Sequence, residues 1–250
     1  SSGTHGTAVA ISAAGATNNS YGIASIGYDT KLALYGMYLD EVLAASYAGA
    51  KVINMSWTNG CAYSQYNQDV INEVYNNGTF LVASAGNGST CNGPETLVYP
   101  ASFENVFSVT SIGPSDNHEQ IIGNSASTHQ HNTSVDICAP GYNVYVGPAP
   151  GWNLIASGTS YAAPLVSGTV ALILAVNPCL SNDDIEYILK TSSVFVDDIN
   201  PDYAGLLGEG RLDAGAAVEM ALNFNVLAID ANISIACQED GGQVTLEVLG

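Results

Sequence analysis

KVINMSWTNGCAYSQYNQDVINEVYNNGTFLVASAGN, residues 51–87, decides the fold. KVINMSW (51–57) reads as a buried strand, a short apolar run bounded by turn residues. SQYNQDVINEVYNNG (64–78) reads as a helix, with Ser64 placed to cap its start and Gly78 to stop it. TFLVASAGN (79–87) is a strand again. Outward from this unit the alternation continues. LALYGM (32–37) looks like a strand and LDEVLAASYAGA (39–50) a helix. VFSVTSIG (106–113) and VDICAPG (135–141) read as strands, and LVSGTVALILAV (165–176) as the body of a buried helix. Ser181 with Asp184 resembles a capping box opening SNDDIEYILKTS, and Asp213 is placed to cap a last helix over 214–222. Such alternation implies an α/β layer structure with a mainly parallel sheet, in which functional groups gather at the carboxyl ends of the strands.

After Asn225 the pattern changes to period two around a turn at Asp240-Gly241-Gly242. The chain therefore divides into residues 1–225 and the start of a small β domain over 226–250. Its first residues, SSGTHGTAVA, and its last, QVTLEVLG, both read as cuts within a longer protein.

The chain is 47% hydrophobic, enough for a sizeable core, and carries 4 Lys+Arg against 23 Asp+Glu for a net charge of −19. Binding nucleic acid or an anionic membrane needs clustered basic residues, which are missing here. The acidic surface instead repels its own copies, so a soluble monomer is expected. The apolar run Val170–Val176 is too short to span a bilayer. Five cysteines permit two disulfides with one thiol left over.

Three segments carry chemistry. His5-Gly6-Thr7 precedes an Ala-rich helical run. Ala83-Ser84-Ala85-Gly86-Asn87 ends a hydrophobic strand. Gly158-Thr159-Ser160-Tyr161-Ala162-Ala163-Pro164 opens a helix. Serine attack on a carbonyl needs a base for the hydroxyl proton, and imidazole suits that near neutral pH. It also needs donors aimed at the oxyanion. Asn87 can supply one and the Ser160 backbone N–H, at a helix start, another.

In this order, H-G-T-x-V-A, A-G-N and G-T-S-x-A-x-P resemble the subtilisin-like serine proteases over roughly residues 4–222. VINMS, YPA (99–101) and APG (139–141) agree. The resemblance implies a three-layer subtilisin-like fold and a secreted endopeptidase acting on peptide or protein substrates through an acyl-enzyme. It implies His5 as general base, Ser160 as nucleophile and Asn87 as oxyanion donor. Ser56-Trp57-Thr58 and Ser84-Ala85-Gly86 become two walls of the substrate pocket, pairing with an extended peptide. Tyr161 stands where the family commonly has Met. The family order is Asp, His, Ser; only four residues precede His5, so the orienting aspartate is expected upstream. An inactive subtilase-like binding module is the alternative. A sedolisin is disfavoured by His5 and Asn87, an esterase by the absence of G-x-S-x-G.

No cofactor is required for this chemistry. The loop ATNNSYGI (16–23) resembles the family's calcium loop, which makes Thr17, Asn19, Tyr21 and Ile23 candidate ligands of a structural calcium. His129-Gln130-His131 could bind a metal, but NSASTHQHNTS reads as a polar loop. Asp197, Asp198 and Asp202 read as a solvated loop. Cys61 and Cys91, in loops leaving the sheet beside the implied cleft, are expected to pair and brace both walls, leaving Cys138 as a buried thiol.

Overall fold

A computed structural model of the chain describes residues 2–88, 90–147 and 155–224. The expected β segment over 226–250 lies outside them. Four parallel strands form one sheet in the order β1 (Val52–Met55), β2 (Phe80–Ser84), β3 (Phe107–Ile112), β4 (Ile137–Pro140). Every residue of β2 and β3 is buried. That burial on both faces is why their sequences read as continuous apolar runs. Alternate side chains still go to opposite faces. Phe80 and Val82 join a core with α4 (Thr159–Val176), α5 (Asn182–Thr191) and α6 (Ala214–Asn223). Leu81 and Ala83 join another with α2 (Leu39–Tyr47) and α3 (Gln65–Asn76). The result is the expected three layers of helix, sheet and helix.

The helix ends follow their sequence signals. Ser64 accepts from Asn67 N–H, Asp213 from Ala216 N–H, and Ser181 with Asp184 forms the full capping box. α4 starts at Thr159, earlier than the apolar run. By length and composition α4 could cross a bilayer. Its Val166, Val170 and Ile173 are instead core residues packed on the sheet. Gly168 allows this helix to lie against the turn after α1 (Ser2–Ala14): a Cβ there would stand 2.1 Å from Ile26 Cγ2 and 2.8 Å from Ala13 O.

The expected strand over 32–37 does not form. These residues run without a ladder partner, with Leu34 78% exposed. The reason is an open groove of about 800 Å³ between them and β1. Leu32, Leu34, Met37, Val52–Met55 and, from α1, Val9 and Ala13 are among the residues that line it. β1 is the sheet's end strand and its outer edge faces this groove. Strand residues need a neighbour to make a strand, and a groove's width separates these two.

Candidate active site

The carboxyl ends of β1 and β2 and the first turn of α4 converge through hydrogen bonds. Ser160 is the second residue of α4 and is half-buried. Pro164, inside the same helix, has no N–H to give the carbonyl four residues back, which is Ser160 O. Ser56 fills the vacancy: its hydroxyl donates to Ser160 O at 2.9 Å. Asn54 Nδ2 donates to Ser56 Oγ at 2.8 Å, and Ser167 Oγ donates to Asn54 Oδ1 at 3.1 Å. An asparagine in a buried-looking strand was the sequence signal for such a chain, since a buried amide needs partners. Among the described residues the Ser160 hydroxyl itself makes only a long 3.5 Å hydrogen bond, to Ser56 O.

Asn87 follows β2 and its side chain is aimed by Thr159. Thr159 N–H donates to Asn87 Oδ1 at 3.0 Å, and the Thr159 hydroxyl lies 3.1 Å from the same oxygen. Gly86 N–H donates to Thr159 Oγ1 at 3.1 Å. The Thr159 N–H on Oδ1 assigns the amide's orientation and leaves Nδ2 as the outward end, while the single Thr159 hydroxyl proton is shared between this oxygen and Gly86 O, also 3.1 Å away. Thr159 was not singled out from sequence; the triplet Gly-Thr-Ser was the available clue. His5, in the first turns of α1, lies edge-on to the Tyr161 ring at 5.8 Å between centroids. Burial holds its pKa below the usual 6.5. His5, Ser56, Asn87 and Ser160 thus come to one region, and among the described residues no carboxylate bonds His5.

The two expected walls differ in character. Trp57 packs on the core beside α2 and α3, whereas Thr58 is exposed and donates to Tyr99 O at 3.2 Å. Asn59 N–H also donates to Tyr99 O, at 2.6 Å. Ser84 and Ala85 are buried, so of that wall Gly86 alone is partly open. Cys61 and Cys91 are disulfide-bonded, tying the walls together, and Cys138 is a buried free thiol.

The loop 16–23 is exposed, and Asn19 Oδ1 accepts from Tyr21 N–H at 2.9 Å. Thr17, Asn19, Tyr21 and Ile23 offer about four oxygens and no carboxylate, where calcium takes about six to eight. By the family resemblance the remaining ligands come from outside the loop, and no chemistry is routed through an ion. Asp198 and Asp202 are exposed, as a solvated loop requires.

The polar reading of 129–131 needs correction: His129, Gln130 and His131 are all buried. Their polar atoms find partners inside. His118 Nε2 and His131 Nδ1 lie 3.0 Å apart, His118 Nδ1 meets Ser111 O at 2.8 Å, and His129 bonds the Ser111 hydroxyl while stacking on Tyr142. No group of three His, Cys, Asp or Glu side chains suited to a metal occurs among the described residues. Burial pushes His118 down to about 4 and His129 down to about 3. The unfolded chain, with ordinary histidines, then binds more protons than the folded one below about pH 6.5, so stability is lost as the pH is lowered. Asp136, pushed up by burial, acts in the opposite sense at the low end of this window. Urea midpoints are expected to drop steadily from pH 6.5 toward 4, and His118→Gln to flatten that slope; a pH-independent midpoint there contradicts the burial argument.

The Subtilase family model matches residues 1–220. A thermophilic serine proteinase of a Bacillus species is 35% identical over 180 residues, covering 68% of this chain and 42% of that protein. An extracellular basic protease of Dichelobacter nodosus is 31% identical over 250 residues, covering 87% of this chain and 39% of its own length. The chain thus spans about two fifths of these curated relatives. A solved protease structure from Pseudoalteromonas arctica superposes with a TM-score of 0.70 at 30% identity, covering 87% of this chain and 70% of that one.

Proposed function

The chain belongs to the subtilase family, and on that premise we propose that it is the catalytic part of a secreted, monomeric serine endopeptidase cleaving peptide or protein substrates. Ser160 Oγ attacks the scissile carbonyl carbon. His5 takes the hydroxyl proton and returns it to the leaving amine, and water then hydrolyses the acyl-enzyme. The oxyanion sits between Asn87 Nδ2 and the Ser160 N–H at the start of α4. An extended substrate pairs with the backbone around Ser56–Thr58 and Ser84–Gly86 by strand addition.

One observation carries the reading: Thr159 donates its backbone N–H to Asn87 Oδ1, with its hydroxyl beside the same oxygen. Amide orientation is thereby committed before substrate arrives, with the donor end left beside the helix that carries Ser160. Preorganised donors of this kind make the largest contribution to acyl transfer because they need no rearrangement as charge develops. The orienting carboxylate for His5 arrives on an extended segment that pairs with the outer edge of β1 and fills the groove beside it.

Asn87→Ala is expected to lower kcat by ~10²–10³ with KM nearly unchanged, a magnitude that belongs to subtilisin, a member of the same family. A serine-directed phosphonate should label the active protein at Ser160 alone, as read by mass spectrometry. Labelling elsewhere, or full activity in Asn87→Ala, sinks the assignment. The inactive-module alternative draws no support from relatives that are named as proteases.

A further inference from the structure

The loop from Gly86 to Val98 carries Asn87 at its start, yet its own hydrogen bonds are long. Asn87 N–H meets Thr90 Oγ1 at 3.3 Å, Thr90 N–H meets Asn87 O at 3.4 Å, Gly93 N–H meets Thr90 O at 3.4 Å, and Thr96 N–H meets Gly93 O at 3.3 Å. Bonds this long contribute little to holding a conformation. The short bonds come from outside the loop. Gln130 Nε2 lies 3.1 Å from Thr90 O, 2.7 Å from Gly93 O and 3.0 Å from Thr96 O. Gln130 N–H donates to Gly86 O at 3.0 Å, and His131 N–H donates to Pro94 O at 2.8 Å.

Gln130 is wholly buried, and its side-chain oxygen has no partner among the described residues. That oxygen would stand 3.3 Å from a Cβ on Gly86, so the amide rests against the residue preceding Asn87. A buried acceptor left unpaired is costly, so the bonds made by the nitrogen are what offset that cost. Three carbonyls around one amide nitrogen admit one orientation only, because flipping the group would turn an oxygen onto three oxygens. The base of Gln130 is itself fixed: its carbonyl accepts from the Thr110 hydroxyl on β3. The residues on either side of it are held too: the carbonyl of His129 meets the His118 and His131 rings, which also meet each other at 3.0 Å.

We propose that Gln130 is a positioning residue: by gathering the carbonyls of Thr90, Gly93 and Thr96 onto its amide, it fixes the loop that carries Asn87 and so sets the aim of the Asn87 amide. This rests on the reading of Asn87 as oxyanion donor. Gln130 links the rigid sheet to the loop, and the loop to the reacting atoms, without touching substrate.

The test is a double-mutant cycle in the full-length protein with Gln130→Met, which keeps the length of the side chain and removes its donors. Gln130→Met is expected to lower kcat by ~10–100-fold, the scale of a small misplacement at a reacting centre. In an Asn87→Ala background the same substitution should cost less than about 2-fold, because the group it aims is gone. Equal losses in both backgrounds overturn the proposal and leave Gln130 merely structural. An Asn87→Ala enzyme with unchanged kcat overturns the oxyanion reading instead. Hydrogen exchange on the 250-residue chain decides the loop's dependence separately from activity. Amides of 87–97 should exchange faster in the variant while those of β2 and β3 stay protected, and unchanged exchange in 87–97 refutes it. Gln130→Ser, which leaves room for water against the carbonyls, serves if Gln130→Met does not fold. Failure of both to fold would make Gln130 a folding residue and overturn the proposal.

Discussion

In the full-length protein, Ser160→Ala is expected to lower peptide turnover by about 10⁶ and to leave the fold intact. The magnitude is that of the nucleophile in subtilisin, from the same family, where losing it alone costs about as much as losing the whole triad. The structural half of the expectation comes from this chain. Among the described residues the Ser160 hydroxyl has one hydrogen bond, at 3.5 Å, too long to contribute much stability. The Ser160 carbonyl is what the fold uses, as acceptor for Ser56 Oγ at 2.9 Å, and alanine keeps it. Alanine also favours the helix by a few tenths of a kcal/mol over serine. Ser56→Ala is the informative contrast. It leaves the Ser160 carbonyl without a donor in a helix that Pro164 has already interrupted, at a cost of about 1–3 kcal/mol. Melting temperatures and turnover on a chromogenic peptide separate the two: Ser160→Ala should be stable and inactive, Ser56→Ala destabilised. Turnover in Ser160→Ala above a hundredth of the parent rate rules out Ser160 as nucleophile.

What the sequence made legible follows what its patterns encode. β2 was readable because both of its faces are covered, which leaves an unbroken apolar run. α3 and α5 were readable because Ser64 and the Ser181–Asp184 pair satisfy their own helices' first N–H groups, a local matter. The segment 32–37 was misread because alternation of apolar residues says which way side chains would face, not whether a neighbouring strand is present to pair with. The segment 129–131 was misread because polar residues are taken for surface residues. Here His118, Ser111 and the 90–96 carbonyls supply partners from other parts of the chain.

The site divides in the same way. His5, Asn87 and Ser160 stand in short motifs whose flanking residues betray them. Thr159 and Gln130 act through partners 72 and 34–40 residues away, and no local pattern records such pairings. The Cys61–Cys91 bond was readable once both loops were assigned to the same end of the sheet, because 30 residues of sequence then collapse to a Cα–Cα distance of 5.5 Å.

Residues 1–250 alone are expected to hydrolyse peptides about 10⁴-fold more slowly than the same chain carrying a strand that brings a carboxylate to His5. The described structure shows what such a strand would meet. β1 presents an unpaired edge to a groove of about 800 Å³. His5 and Ser56 are among the residues lining that groove, and the rest of the lining is mostly apolar. An open edge beside an apolar trough is a template for a further strand. Burial alone now sets the His5 pKa, holding it below 6.5. A neighbouring carboxylate favours the imidazolium and moves the pKa the other way. It also fixes the tautomer whose free nitrogen can accept the serine proton. The experiment fuses a family D-[ST]-G strand through a flexible linker to Ser1, with the same strand bearing Asn in place of Asp as control. Three results are expected together: turnover rises about 10⁴-fold with the Asp strand only, the His5 NMR titration moves upward with it only, and both strands raise the melting temperature by covering the edge. Equal activity of the bare chain and the Asp fusion refutes the carboxylate argument. A fusion that raises the melting temperature and the His5 pKa yet stays inactive would point to the binding-module reading, because the triad would then be complete and still silent.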